Sequence, residues 1–143
     1  MTTLREPNLD EVLQTCADDV YKQLGSGLTE CIYRNALAQA LRKVGNKVQC
    51  EVVIPVEFDE MTVGSIRADI VIGDYWVIEL KCASKITDAH CAQARAYMDR
   101  MRGGSKLRNV CAHVINFGGL DGYEMKEVRL PSKKRRVVDE DSD

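Results

Sequence analysis

No stretch of this 143-residue chain approaches the roughly 20 consecutive apolar residues that a membrane-spanning helix needs. The opening Met1-Thr2-Thr3-Leu4-Arg5-Glu6 lacks the apolar segment of a secretory leader, so a cytosolic or nuclear setting is expected, with no membrane partner. No two of the six cysteines stand at CxxC spacing, which argues against a structural zinc site. Cys16, Cys31, Cys82 and Cys111 lie among apolar neighbours and read as small buried hydrophobes in a reducing compartment. An excess of basic charge is also missing: 20 Lys and Arg stand against 22 Asp and Glu, for a net charge of −2. Nucleic-acid binding driven by bulk charge alone is therefore disfavoured, while a local basic rim around a metal site is not. The C-terminal segment does not mask the charge of the rest, because residues 131–143 carry four basic and four acidic groups. What is present is 45% hydrophobic and 29% charged, the composition of one ordinary globular domain with enough chain for a core.

The stretch from Asp69 to Lys81 organises this domain. Two β-rich runs, Ile66–Ile72 and Trp76–Cys82, flank a turn at Gly73-Asp74 and predict a hairpin. Strand side chains alternate, so Ile78 and Leu80 point one way while Glu79 and Lys81 point the other. Antiparallel pairing brings Asp69 level with Glu79. Two acidic groups and an amine thus converge in a strand pair whose flanking apolar runs look covered on both faces. Burying such charges is costly unless they are paired or hold a metal. One reading is an ion pair of Lys81 with Glu79 or Asp69; the other is a cation site.

The remaining chain supplies the frame. Asn8 caps a first helix, with Glu11 as capping-box partner and an apolar stripe of Leu13, Cys16, Ala17, Val20 and Leu24. A second helix is predicted from about Leu28 to Val44, its core face supplied by Leu28, Ile32, Leu37, Leu41 and Val44. Glu30 falls in its first turn, where the helix dipole favours a negative charge, and shares a face with Tyr33. Taken alone, Glu30 reads as an i, i+4 partner of Arg34. Val48–Phe58 is a strand whose Pro55 indicates an edge or bulge. Asp59-Glu60 turns the chain into Met61–Ile72, with a bulge near Gly64-Ser65. A third helix follows from Thr87 or Asp88 to Met101, with Ala89, Ala92, Ala96 and Met101 as its contacts. His90, Gln93 and Tyr97 lie along one stripe of it; taken alone, His90 reads as a surface or capping residue and Gln93 as a solvated one. Val110–Phe117 is a buried strand and Tyr123–Val128 a short edge strand. The order α-α-β-β-β-α-β-β predicts an α/β (α+β) domain over residues 1–130, a mixed central sheet flanked by helices.

Several of these pieces together resemble one family. Gly27-Leu-Thr-Glu30-Cys-Ile-Tyr33 is similar to the motif that names the GxxExxY proteins, within the PD-(D/E)xK nuclease superfamily. Arg67-Ala68-Asp69, Ile78-Glu79-Leu80-Lys81, His90-Cys-Ala-Gln93-Ala-Arg-Ala-Tyr97 and Ile115-Asn116-Phe117-Gly118 resemble further stretches of it, in order. Ala68 stands where the superfamily name has proline, as is common in this branch. The likeness runs from about Asn8 to Arg129. It implies a restriction-endonuclease-like αβββαβ core and a Mg²⁺-dependent nuclease, DNA being the favoured substrate and Mn²⁺ able to substitute. By the same resemblance Asp69, Glu79 and the Leu80 carbonyl would bind metal, with Glu30 completing the acidic cluster. Lys81 would activate water and offset charge on the scissile phosphate, and Gln93 would orient a water or phosphate. Tyr33, Arg67, His90 and Tyr97 would line the nucleic-acid path. The competing expectation, from a different class, is an inactive nuclease-fold module that binds DNA or a protein partner. The fold is also compatible with a homodimer.

Residues 131–143 form a charged tail. Lys133, Lys134, Arg135 and Arg136 after Pro131 resemble a nuclear localisation signal, which would make an import receptor a partner and the nucleus the site of action. If they are only a solvated charged end, a cytoplasmic location is expected instead.

Overall fold

A computed structural model describes residues 8–73, 75–103 and 110–129. Its elements are α1 (Leu9–Leu24), α2 (Glu30–Lys43), β1 (Val48–Phe58), β2 (Met61–Ile72), β3 (Trp76–Lys81), α3 (Asp88–Gly103), β4 (Cys111–Asn116) and β5 (Glu124–Val128). One sheet holds the five strands in the order β1-β2-β3-β4-β5. β3 and β4 are parallel, as the crossover through α3 requires, and the other neighbours are antiparallel. The mixed sheet flanked by helices is thus the arrangement expected of a restriction-endonuclease-like fold. The basic cluster Lys133–Arg136 lies outside the described residues.

Strand alternation sorts the core into two layers. Trp76, Ile78 and Leu80 of β3 pack with Ile115, Phe117 and the inner faces of α1 and α2. Val77 packs on the opposite side with Ala112, Val114 and the Cys91, Ala94, Tyr97 and Met98 face of α3. Both faces of β3 are therefore covered, which accounts for its continuous apolar run. Asn8 does cap α1, its Oδ1 accepting from the Asp10 N–H at 3.0 Å.

Two helix faces differ from expectation. The buried stripe of α2 is Tyr33, Leu37, Ala38 and Leu41, while Leu28, Ile32 and Val44 are exposed. Tyr33 wins the core position because its ring stacks on Phe117 at 4.6 Å and its hydroxyl donates to the Gly25 carbonyl at 2.6 Å. The buried face of α3 is likewise carried by Cys91, Ala94, Tyr97 and Met98, and Ala89 and Ala92 face outward. Among the cysteines, Cys16 and Cys91 are buried, whereas Cys31 and Cys82 are exposed.

Asn116 and Gly118 fix the segment that follows β3. The fully buried Asn116 amide accepts from the Ala83 and Gly118 N–H groups at 2.9 and 3.0 Å and donates to the Ala83 carbonyl at 2.9 Å. A Cβ on Gly118 would come within 2.6 Å of the backbone nitrogen of Ala83, so only glycine allows this approach. Asn116→Ala would strand buried backbone groups at Ala83, and a loss of about 1–3 kcal/mol is expected. Urea unfolding would show it as a lower midpoint at constant slope; an unchanged midpoint would contradict the clamp.

Candidate active site at the fork of the sheet

The ladder between β2 and β3 runs only from Ile72↔Trp76 to Ile70↔Ile78, and beyond it the strands part. The break coincides with a twist of the β1–β2 hairpin. Cys50 and Ile70 belong to the α1/α2 core, yet Val52 and Ala68, two residues along, belong to the α3 core. Glu51 lies at that twist in the left-handed region, with φ 54°, and its carboxylate receives Arg34 at 2.8 Å.

Asp69 and Glu79 occupy the resulting fork and replace its missing ladder bonds. The Asp69 N–H donates to Glu79 Oε1 at 3.3 Å, and the Leu80 N–H donates to Asp69 Oδ2 at 2.8 Å. Each carboxylate thus accepts from the opposite strand. In a strand, the N–H and C=O of one residue point to the same side, so the Leu80 carbonyl shares the fork with them.

Glu79 is only 2% exposed. Burial, reinforced by the charge of Asp69, pushes its carboxyl up to about 9; the Asp69 N–H and Lys81 pull weakly the other way. At neutral pH Glu79 therefore holds a proton, with the Asp69 carboxylate close beside it. Lys81 projects to the same side, its Nζ donating to Gln93 Oε1 at 2.8 Å. Gln93 Nε2 donates to the Tyr97 hydroxyl at 3.3 Å, and that hydroxyl donates to the Arg67 carbonyl at 2.6 Å. Burial, then the charge of Glu79, raise the Tyr97 phenol above its ordinary value, so it remains a donor. Gln93 is thereby oriented from both ends, and the amine it holds has a fixed place beside the fork.

The other residues singled out in the sequence lie elsewhere. Tyr33 is fully buried, its hydroxyl held by the Gly25 carbonyl and the Leu28 N–H, so it cannot line a nucleic-acid path. His90 Nδ1 accepts from the Thr87 N–H at 3.1 Å while the Thr87 hydroxyl accepts from the His90 N–H, a reciprocal cap on α3. The Arg67 side chain is 64% exposed and approaches Glu51 at 4.0 Å. Glu30 is exposed at the N-terminus of α2, near enough to help raise the thiol of the largely exposed Cys82, for which partial desolvation is the larger cause. It does not join Asp69 and Glu79 in a compact trio. Among the described residues, the set of three ligand-type side chains whose donor atoms all lie within 4.8 Å is Asp10, His113 and Glu127. Of the acidic cluster the resemblance implied, two members meet and the third stands off.

The Asp10–His113–Glu127 group was not visible in the sequence, because Asp10 stands about a hundred residues before the other two and the three share no local pattern. It also differs chemically from the fork. Trp76 Nε1–H donates to His113 Nδ1 at 2.8 Å, and a tryptophan N–H can only donate. The ring proton must then sit on Nε2, which faces Asp10. A metal on Nε2 would force that proton onto Nδ1, against the Trp76 N–H. The group joins α1, β4 and β5 and is a poor cation site. The fork offers the better donor set, two carboxylates and a carbonyl, hard oxygens that suit a small divalent ion.

A family model described as the PD-(D/E)XK nuclease superfamily matches residues 7–128 of the chain. Neither a curated protein nor a solved structure matches it.

Proposed function

The chain belongs to the PD-(D/E)XK nuclease superfamily, and from that premise we propose that it is a divalent-metal-dependent nuclease of the GxxExxY branch, hydrolysing phosphodiester bonds in nucleic acid, with DNA as the first substrate to test. The observation that carries this reading is the reciprocal bonding of Asp69 and Glu79 across the open fork, with Lys81 held beside it. Two carboxylates this close, one of them driven to keep a proton, form a site that a cation would complete. Asp69, Glu79 and the Leu80 carbonyl would hold Mg²⁺ or Mn²⁺. When bound, the ion would supply positive charge for the phosphate and acidify a water. Lys81 would add a second positive charge against the scissile phosphate, and the Gln93–Tyr97–Arg67 chain would keep it in place. Arg67, well exposed on β2 two residues before Asp69, would meet the backbone of the nucleic acid. Lys133 to Arg136 would serve as a nuclear import signal.

A second reading, a nuclease-derived module that binds without cutting, draws on the separation of Glu30 from the two carboxylates. Calorimetry with Mg²⁺ and Mn²⁺ separates the two. The nuclease reading expects uptake with release of close to one proton per ion at neutral pH, because Glu79 must ionise to ligate. Metal-dependent cleavage of duplex or single-stranded DNA should accompany it. No uptake at millimolar ion, together with no cleavage of DNA or RNA, would leave the binding module.

A further inference from the structure

The distal half of the β1–β2 hairpin is a feature the nuclease site does not use. β1 and β2 run on well past the end of the β2–β3 ladder, to a two-residue turn at Asp59 and Glu60, both in the left-handed region. Pairing levels place the tip beyond the C-terminal end of β3, on the same end of the sheet as the fork. Phe58, Met61 and Val63 are 69%, 71% and 62% exposed there. Glu57, Asp59 and Glu60 surround them, and none of the three has an ion-pair partner among the described residues. From Glu51 to Ile66 there are four acidic side chains and no basic one.

This mixture of apolar and acidic groups selects its occupant. Phosphates are repelled, so the arm is not part of a nucleic-acid path. Two arms meeting tip to tip would oppose like charges. Addition of a strand along the free edge of β1 is blunted by Pro55, which has no N–H, and by the backbone turn at Glu51. A ligand both basic and apolar fits, and the chain carries one in Lys133-Lys134-Arg135-Arg136-Val137-Val138.

Its own arm is out of reach. Val128 is level with Ala112, Val77, Val71 and Gln49, at the end of the sheet away from the tip. The tip is thus four strand spacings across, about 19 Å, and nine residues along, about 30 Å, or roughly 35 Å in a straight line through the body. Arg136 is eight and Val138 ten residues past Val128, spans of at most about 29 and 36 Å fully extended, too short for a path around the body to the tip. We infer that the basic segment Lys133–Val138 of one copy docks on the β1–β2 arm of a second copy, its cations on Glu57, Asp59 and Glu60 and its valines against Phe58 and Met61. Exchanged both ways, the contact closes a two-fold dimer.

Sedimentation velocity on the full chain tests this. The expected result is a monomer–dimer equilibrium that shifts toward monomer at high salt. A triple variant, Glu57→Lys, Asp59→Lys and Glu60→Lys, should weaken the dimer at least tenfold. So should a tail variant with Lys133, Lys134, Arg135 and Arg136 all changed to Glu. Combining the two restores opposite charges and should restore the dimer, a result that misfolding of either variant cannot imitate. A chain monomeric at every concentration overturns the inference, as does a dimer that ignores both variants. Binding of an isolated peptide of residues 131–138 to a chain that stays monomeric also overturns it, by assigning the arm to another basic partner.

Discussion

Replacing Glu79 with glutamine should make the metal-free protein more stable at neutral and alkaline pH while abolishing metal-dependent cleavage. The folded Glu79 carboxyl is raised to about 9, whereas an unfolded glutamate titrates near 4.3. Above pH 4.3 the folded chain therefore holds a proton that the unfolded chain has lost. Stability must then fall as pH rises, from the unfolded value until the folded group ionises near pH 9. The slope is about 1.4 kcal/mol per pH unit for one proton, so the burden at pH 7 is on the order of a few kcal/mol. Glutamine removes it. Its amide oxygen can still accept from the Asp69 N–H, and its NH₂ adds no negative charge beside Asp69. Urea unfolding of both proteins from pH 5 to 9, without metal, should give curves that diverge as pH rises, the wild type falling. Added Mg²⁺ should stabilise the wild type and leave the variant unmoved. A variant less stable than wild type at pH 8 would mean that Glu79 serves a structural ion pair with Lys81, and the cation site would fall.

That an acidic group should be held at such a cost is what made this part of the fold readable in the sequence. Ile70-Val71-Ile72 and Val77-Ile78 announce strands covered on both faces, and alternation then forces Glu79 and Lys81 to one side. Register about the turn sets Asp69 level with Glu79, and the three pairs of the β2–β3 ladder have that register. The break in the ladder was not legible. It follows from a twist at Glu51, where a left-handed backbone angle and a contact with Arg34 depend on packing between α2 and β1. Local pattern also misplaced Tyr33. Its position three residues after Glu30 looks the same whether the ring faces solvent or stacks on Phe117, and only the chain eighty residues on decides. Asn116 and Gly118 show the converse. They stand in a motif that suggests a site, and they act as the clamp that holds the end of β3, so they support the fork without touching it.

Lys81→Met should lower cleavage by about 10²–10³-fold, the usual cost of losing one fixed charge aimed at a developing anion. Methionine keeps most of the aliphatic stem, so the fold should survive, and unfolding curves would establish that. The variant also has a second signature. Lys81 is one of the groups that draw the Glu79 carboxyl downward, so its removal should push that carboxyl higher still. Metal uptake needs the ionised form, and its pH dependence should move to more alkaline values in Lys81→Met. Gln93→Leu leaves the ammonium charge and removes only its 2.8 Å anchor. That variant should lose less rate, about tenfold, as a positioning defect does, with the pH dependence of metal uptake close to wild type. Both measurements on both variants divide the role of the lysine into charge and placement. Equal rate losses with identical uptake profiles would show that Lys81 exerts no field on Glu79 and acts only through its hydrogen bond.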